Sequence, residues 1–278
     1  MPKLLTEEQV AQYRRDGYLF PIPVMSTSEA GSYRHQLEAY EAATGGPIQS
    51  NMRHKVHLLF RWANELVRHS RVLDAVEDIL GSDILCWTTN FFIKEADSPD
   101  FVSWHQDSTY WGLDPADVVT AWIALSDVPL ESGAMKVLGG SHTWGQMDHH
   151  DTWHENNLLT RGQEMALENV DESKAEDIIL MAGQMSLHHV CLAHGSHANT
   201  TKNRRIGLAI RYIPTYVRQL KLNDSAMLVR GADTYGHFDL EPDPADDLDA
   251  AAVAAHAEAV QRMIGAVYSG TDVDVARR

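Results

Sequence analysis

The chain has 278 residues, 44% hydrophobic and 22% charged, which fits a globular protein large enough to bury a sizeable core. Its formal net charge is −16, from 23 basic and 39 acidic side chains, and this argues against nucleic acid or an anionic membrane as a partner, because phosphates would be repelled. No apolar run approaches the length needed to cross a bilayer, and Met1 to Glu8 do not read as a signal peptide, so the expected location is cytoplasmic.

In chain order, Thr6-Glu7-Glu8-Gln9 is a capping box that opens a short helix stopping near Gly17. Tyr18 to Ile22 reads as a short strand. Ser26-Thr27-Ser28-Glu29 starts a second helix that ends before Gly45-Gly46, and further helical stretches are expected from about Leu58 to His69 and from Arg71 to Leu80. After Gly81 the character changes. Ile84 to Ile93 is rich in β-branched and aromatic residues, as strands are. Across Asp117 to Val128 the alternation puts Val119, Ala121, Ile123 and Leu125 on one face and Thr120, Trp122 and Ala124 on the other. Gln184 to Ala193 and Arg205 to Ile213 read as two further strands, and Gly139-Gly140-Ser141 and Gly195-Ser196 are turn signals. Asp239 to Asp249 is acidic and proline-interrupted and reads as a solvated loop, with a last, alanine-rich helix over Asp246 to Tyr268. Cys86 and Cys191 lie in apolar, strand-like segments and read as buried hydrophobes rather than a disulfide. The expected architecture is one mainly β (α+β) domain over 1–278. Helical support runs to about residue 81, the β core spans about 82–214, and a C-terminal loop and helix fill 215–278.

The chemistry is concentrated at Trp104-His105-Gln106-Asp107 and at the distant His194. His105 and Asp107 are two apart, so on an extended segment both point the same way. Two imidazoles and one carboxylate on one side of a metal leave three positions open, which is what iron(II) needs when it must bind both a cosubstrate and oxygen. A lone His-x-Asp is common by chance. Here His194 stands at a strand end before Gly195-Ser196, Arg205 begins the next strand, and Trp122 lies on a strand between the two halves. Zinc could use the same ligands and would imply a hydrolase, although zinc gives no reason for Arg205.

With these residues the chain resembles the phytanoyl-CoA dioxygenase family of iron(II)/2-oxoglutarate enzymes, from the first helix to about Tyr212. The matching segments are Thr6 to Gln9 through Asp16-Gly17-Tyr18, Trp104 to Asp107, Ala121-Trp122, Glu131-Ser132-Gly133-Ala134-Met135, Gly139 to His142, and His194-Gly195-Ser196 with Asn199 and Arg205. The resemblance implies a double-stranded β-helix, a cupin-like jelly roll with flanking helices. It also implies His105, Asp107 and His194 as ligands of Fe(II), and Arg205 and Ser196 at the far carboxylate of 2-oxoglutarate. Trp122 matches a position lining the cosubstrate pocket, and Asn90 and Gln106 match weaker ones. The implied reaction consumes O2 and 2-oxoglutarate, hydroxylates an unactivated C–H bond of a small-molecule substrate, and releases succinate and CO2. Related halogenases lack the metal carboxylate, so Asp107 argues against halogenation. Desaturation or cyclisation by the same iron chemistry, or a jelly-roll binding protein without turnover, are the alternatives left open.

For the substrate, Tyr110-Trp111 directly follow the metal motif, and strand parity puts Arg211 on the face of Arg205. An inward Arg211 would bind an anionic substrate group or else pair structurally with one of the many acids. The resemblance points to His189 as a pocket residue, whereas parity points to His188. His149, His150 and His154 read as a mobile loop over the barrel mouth, with His150 and His154 sharing a face if that segment is helical. A homo-oligomer packed through the last helix is left open.

Overall fold

The capping residues act as expected at the first helix. Gln9 N donates to Thr6 Oγ1, Thr6 N donates back to Gln9 Oε1, and Gly17 ends the helix in the left-handed conformation. A computed structural model describes residues 2–159, 161–166 and 170–269; residues 270–278, the end of the expected domain, lie outside them. The first helices are α1 (Glu7–Asp16), α2 (Thr27–Thr44), α3 (Arg61–Val67) and α4 (Ser70–Leu80), with β1 (Tyr18–Pro23) between the first two. The helix expected from Leu58 to His69 is instead a 3-10 turn (Val56–Leu58) followed by α3, because Phe60 is extended and breaks it.

The strands that follow are β2 (Ile84–Lys94) and β3 (Val102–His105), then the one-turn α5 (Ser108–Trp111) leads to β4 (Leu113–Asp114) and β5 (Val119–Ala124). The chain goes on through β6 (Met135–Val137), β7 (His149–Asp151), β8 (Gln163–Met165), β9 (Glu176–Ile178), β10 (Gln184–His189), β11 (His194–Ser196) and β12 (Arg205–Pro214). β13 (Arg218–Gln219), β14 (Ser225–Arg230), β15 (Asp239–Leu240) and α6 (Ala250–Val267) complete the described elements.

Two sheets face each other. The larger has the order β1-β10-β5-β12-β2-β14-β15, and the smaller β3-β11-β6-β9. This is a double-stranded β-helix, or jelly roll, flanked by helices. The alternation in β5 has a direct structural meaning. Val119, Ala121, Ile123 and Leu125 pack outward under the helices in a core shared with Leu66, Val72 and Val76, while Trp122 and Ala124 point between the sheets with Val137 and Ile178. The outer face is therefore sealed by helices and the inner face is left to line a site.

Two sequence expectations change here. The His149–His154 segment is not helical: His149 to Asp151 form β7, paired in register with β8. The acidic run is not wholly solvated either. The Glu241 side chain is buried, with its carboxylate 2.6 Å from Lys55 Nζ and 3.1 Å from His57 Nε2, and this pins the C-terminal segment to the barrel. Asp249 does cap the last helix, accepting from Ala251 N and Ala252 N.

Candidate metal centre and its two cavities

β3 and β11 pair antiparallel with His105 opposite His194. Their ring centroids lie 4.1 Å apart, and Asp107, two residues beyond β3 at the N-cap of α5, brings Oδ1 to 3.4 Å from His105 Nε2. One ligand atom from each of His105, Asp107 and His194 lies within 4.8 Å of the others, and all three residues are buried. Each imidazole is oriented by the backbone carbonyl two residues back: His105 Nδ1 donates to Ser103 O at 2.9 Å and His194 Nδ1 to Leu192 O at 2.9 Å. That tautomer turns each Nε2 lone pair toward the centre. His105 Nε2 and Asp107 Oδ2 are buried without hydrogen-bond partners. Such orphaned acceptors are costly in a dry interior, and a divalent cation would satisfy both at once. Burial pushes the Asp107 carboxyl up, but the His105 contact and the nearby Arg211 and His194 outweigh it and hold the group below the usual carboxylate range. Burial, and then His105, push the His194 imidazolium well down, toward the neutral form that binds metals.

Two cavities meet at this centre. The first, about 430 Å³, is lined by His105, Asp107, His194, Trp122, Ser196, Arg205 and Arg211 among others. At one end is Arg205, 3% exposed, with Nη1 donating to Gly133 O at 2.6 Å and Nε unpartnered. Among the described residues it has no carboxylate partner, and burial lowers its pKa to about 10. Gly133 earns its place in this turn: its φ is +74°, and a Cβ there would lie 2.3 Å from His197 O. Gly207 is required by close approach instead, since a Cβ would lie 1.9 Å from the Trp122 indole, over which the Arg205 guanidinium stands at 5.4 Å. Ser196 Oγ accepts from Lys94 Nζ at 2.7 Å. Lys94, the register partner of Arg205, was not anticipated from the sequence. It is fully buried, and burial followed by Arg205 lowers its pKa to about 6. The available signal was parity, which puts a lysine ending an apolar strand on the inward face with Asn90.

The second cavity, about 590 Å³, shares Phe92, Asp107 and Arg211 with the first. Tyr110 and Trp111 of α5 wall it, as do Met263 and Val267 of α6, which sequence reasoning did not reach. Trp111 packs on Trp87 at 4.9 Å between centroids. The Tyr110 hydroxyl donates to Asp151 Oδ1 at 2.9 Å, and Arg161 stacks 3.8 Å over its ring while pairing with Asp151, so β7 and β8 are clasped to α5.

Three expected residues fall elsewhere. Gln106 is spent on structure: its Nε2 donates to Gly145 O and Cys191 O, its Oε1 accepts from Met147 N, and its backbone N donates to His149 Nε2. Its neighbours in sequence point into the site, whereas its own side chain is held by the loop carrying Gly145 and Met147. Asn90 lines the second cavity and not the Arg205 cavity, with Oδ1 accepting from His54 Nδ1 at 2.7 Å. His189 faces out of the barrel against His142, its Nδ1 accepting from Cys191 N, whereas His188 lines the first cavity 5.0 Å from the His194 ring. The remaining motif residues fix loops. Ser141 Oγ accepts from Ala193 N beside His194, and Asn199 Nδ2 donates to Glu95 O and Asn203 O.

The phytanoyl-CoA dioxygenase (PhyH) family matches residues 13–207, and the chain belongs to it. Among solved structures, the non-heme monooxygenase ThoJ in its apo form is 37% identical with a TM-score of 0.84, covering 93% of this chain and 97% of that one. Its nickel complex gives 35% and 0.77, over 92% and 98%. A probable alpha-ketoglutarate-dependent hypophosphite dioxygenase of Stutzerimonas stutzeri is 30% identical over 156 residues, 56% of this chain and 54% of the relative. An ectoine dioxygenase of Streptomyces avermitilis is 26% identical over 51% of this chain and 53% of the relative. The matched region thus spans about half the length of these two curated relatives. No described helix is long and apolar enough to cross a membrane.

Proposed function

We propose that this chain is an iron(II)- and 2-oxoglutarate-dependent dioxygenase that hydroxylates an unactivated C–H bond of a small soluble metabolite, with release of succinate and CO2. The observation that carries the reading is the convergence of His105, Asp107 and His194 at the junction of two cavities, one of which ends on the buried Arg205, which pairs with no carboxylate among the described residues. When bound, the metal supplies oxygen activation coupled to decarboxylation of the 2-oxo acid and oxidation of a C–H bond.

The chain's own residues do the rest. His105, Asp107 and His194 would hold the metal from one side, each imidazole fixed by the backbone carbonyl two residues before it. Arg205 would take the far carboxylate of 2-oxoglutarate, beside the Lys94–Ser196 pair and the Trp122 ring. A guanidinium buried without an anion costs several kcal/mol, and a dicarboxylic cosubstrate offsets that cost in a way a zinc hydrolase has no use for. Tyr110 and Trp111 would wall the substrate side and help exclude water.

The alpha-ketoglutarate dependence of the hypophosphite relative and the metal complex of ThoJ support this assignment, and the ectoine relative supports a small organic substrate. It is tested by anaerobic calorimetry of 2-oxoglutarate binding to the iron(II)-loaded protein. One equivalent bound, with binding lost in Arg205→Ala and in the metal-free protein, is the expected result. Mass analysis of the product then separates hydroxylation, which adds an oxygen atom, from desaturation or cyclisation, which removes two hydrogens. Binding of 2-oxoglutarate without metal would overturn the reading.

A further inference from the structure

We propose that Arg211 anchors an oxyanion of the organic substrate, a carboxylate or phosphonate, at the boundary that the two cavities share. The inference rests on the iron and 2-oxoglutarate reading above and specifies its substrate.

Arg211 is 6% exposed, and among the described residues it makes no ion pair. Its Nε and Nη1 have no hydrogen-bond partner. The nearest acid acting on it is Asp107, whose charge the metal would take. The structural role weighed from the sequence, a pairing with one of the chain's many acids, is therefore not the one found. Instead the side chain lies 5.4 Å from the Trp111 ring and 5.6 Å from Phe92, at the boundary that both cavities share.

It does not stand alone. Across the sheet, His188 of β10 pairs with Thr120 of β5, and Thr120 pairs with Arg211 of β12, so the three form one transverse inward row. His188 Nδ1 and Thr120 Oγ1 are also buried and unpartnered. A cation, a hydroxyl and an imidazole without partners in one row form a built recognition surface for a group with several acceptor oxygens, because each unmet polar atom in a dry interior is costly. His188 and Thr120 line the first cavity with Arg205, whereas Arg211 also faces the second, aromatic-walled one, so the row stands where the two cavities meet. The two guanidiniums thus divide between two anions. An oxyanion on Arg211 with its carbon chain against Trp111 and Phe92 would hold a neighbouring C–H bond close to the metal.

The test uses the iron(II)- and 2-oxoglutarate-loaded protein under anaerobic conditions, titrated calorimetrically with butyrate, propylphosphonate and neutral butyramide. Wild type is expected to bind at least one anion about tenfold or more tightly than the amide. Arg211→Gln should weaken the anion by about tenfold to hundredfold, the usual range for hydrogen bonds to a charged group, and leave the amide unchanged. Thr120→Val should weaken it by a few-fold. Arg211→Lys, which keeps the charge but not the planar donors, should recover part of the loss and carries the test if the Gln variant does not fold. Whichever anion binds better, planar or tetrahedral, the assignment stands. Three results would overturn it: no preference of wild type for either anion, an anion preference retained in Arg211→Gln, or an equal loss of 2-oxoglutarate affinity in that variant, which would make Arg211 a cosubstrate ligand. Failure of the underlying reading shows separately, as absence of 2-oxoglutarate binding to the loaded wild type.

Discussion

His105 and His194 face each other as register partners across β3 and β11, and each donates Nδ1–H to the backbone carbonyl two residues back in the chain. The same local hydrogen bond therefore sets both tautomers, and the site is preorganised before any metal arrives. Nickel(II) or iron(II) should accordingly stabilise the fold without a large rearrangement. At a hundredfold excess over Kd the gain is about 2.7 kcal/mol. Thermal melts with and without metal should show this shift in wild type and its loss in His194→Ala and Asp107→Ala. A shift of equal size in those variants would place the metal elsewhere.

Arg205 tests the cosubstrate end. Lysine keeps the charge but cannot reproduce the planar fork, and the Trp122 face loses its guanidinium neighbour. Arg205→Lys should raise the KM for 2-oxoglutarate by about tenfold or more while kcat changes less, since the interaction is one of ground-state binding. Steady-state kinetics in 2-oxoglutarate reads both.

Gly207 is predicted to be intolerant for a reason of shape. Its missing Cβ is the space filled by the Trp122 indole, at 1.9 Å. Gly207→Ala should displace that ring, cost about 1–3 kcal/mol by overpacking, and weaken 2-oxoglutarate binding although residue 207 carries no functional group. Denaturant unfolding together with a 2-oxoglutarate titration measures both effects.

Glu241 gives a pH dependence with a definite sign. Burial pushes its carboxyl up, but Lys55 and His57 outweigh this and bring it down to about 2 from an ordinary 4.5. A carboxyl depressed on folding contributes stability that is fully present above the unfolded value and is lost as pH falls through the folded one, so the contribution should fade between about pH 4.5 and 2. Glu241→Gln should cost about 3–5 kcal/mol at neutral pH, because Lys55 stays buried without its anion, and should flatten stability over that acid window. Urea unfolding at stepped pH values tests this.

The parts legible in the sequence were those with local or periodic causes. Thr6 and Gln9 cap a helix by contacts three residues apart, and the alternation from Val119 to Leu125 reports a strand with two different neighbours. His105 and Asp107 converge, but not by the pleat expected of an extended segment: β3 ends at His105, and Asp107 has helical backbone at the N-cap of α5. The smaller sheet was not legible because β6, β9 and β11 have three residues each, too few for a period to show. Glu241 looked solvated because its partner, Lys55, lies 186 residues away in sequence. Strand geometry places His188 on the inward face and turns the family position, His189, toward His142, since the pleat acts on every residue while a family position carries over only where the local register is kept.

The most direct test of the central claim is succinate formation by the purified protein as iron(II), 2-oxoglutarate and oxygen are each withheld in turn, with Asp107→Ala alongside. The account predicts succinate only when all three are present, and none from the variant. Succinate released at the wild-type rate by Asp107→Ala, or in the absence of oxygen, would contradict it.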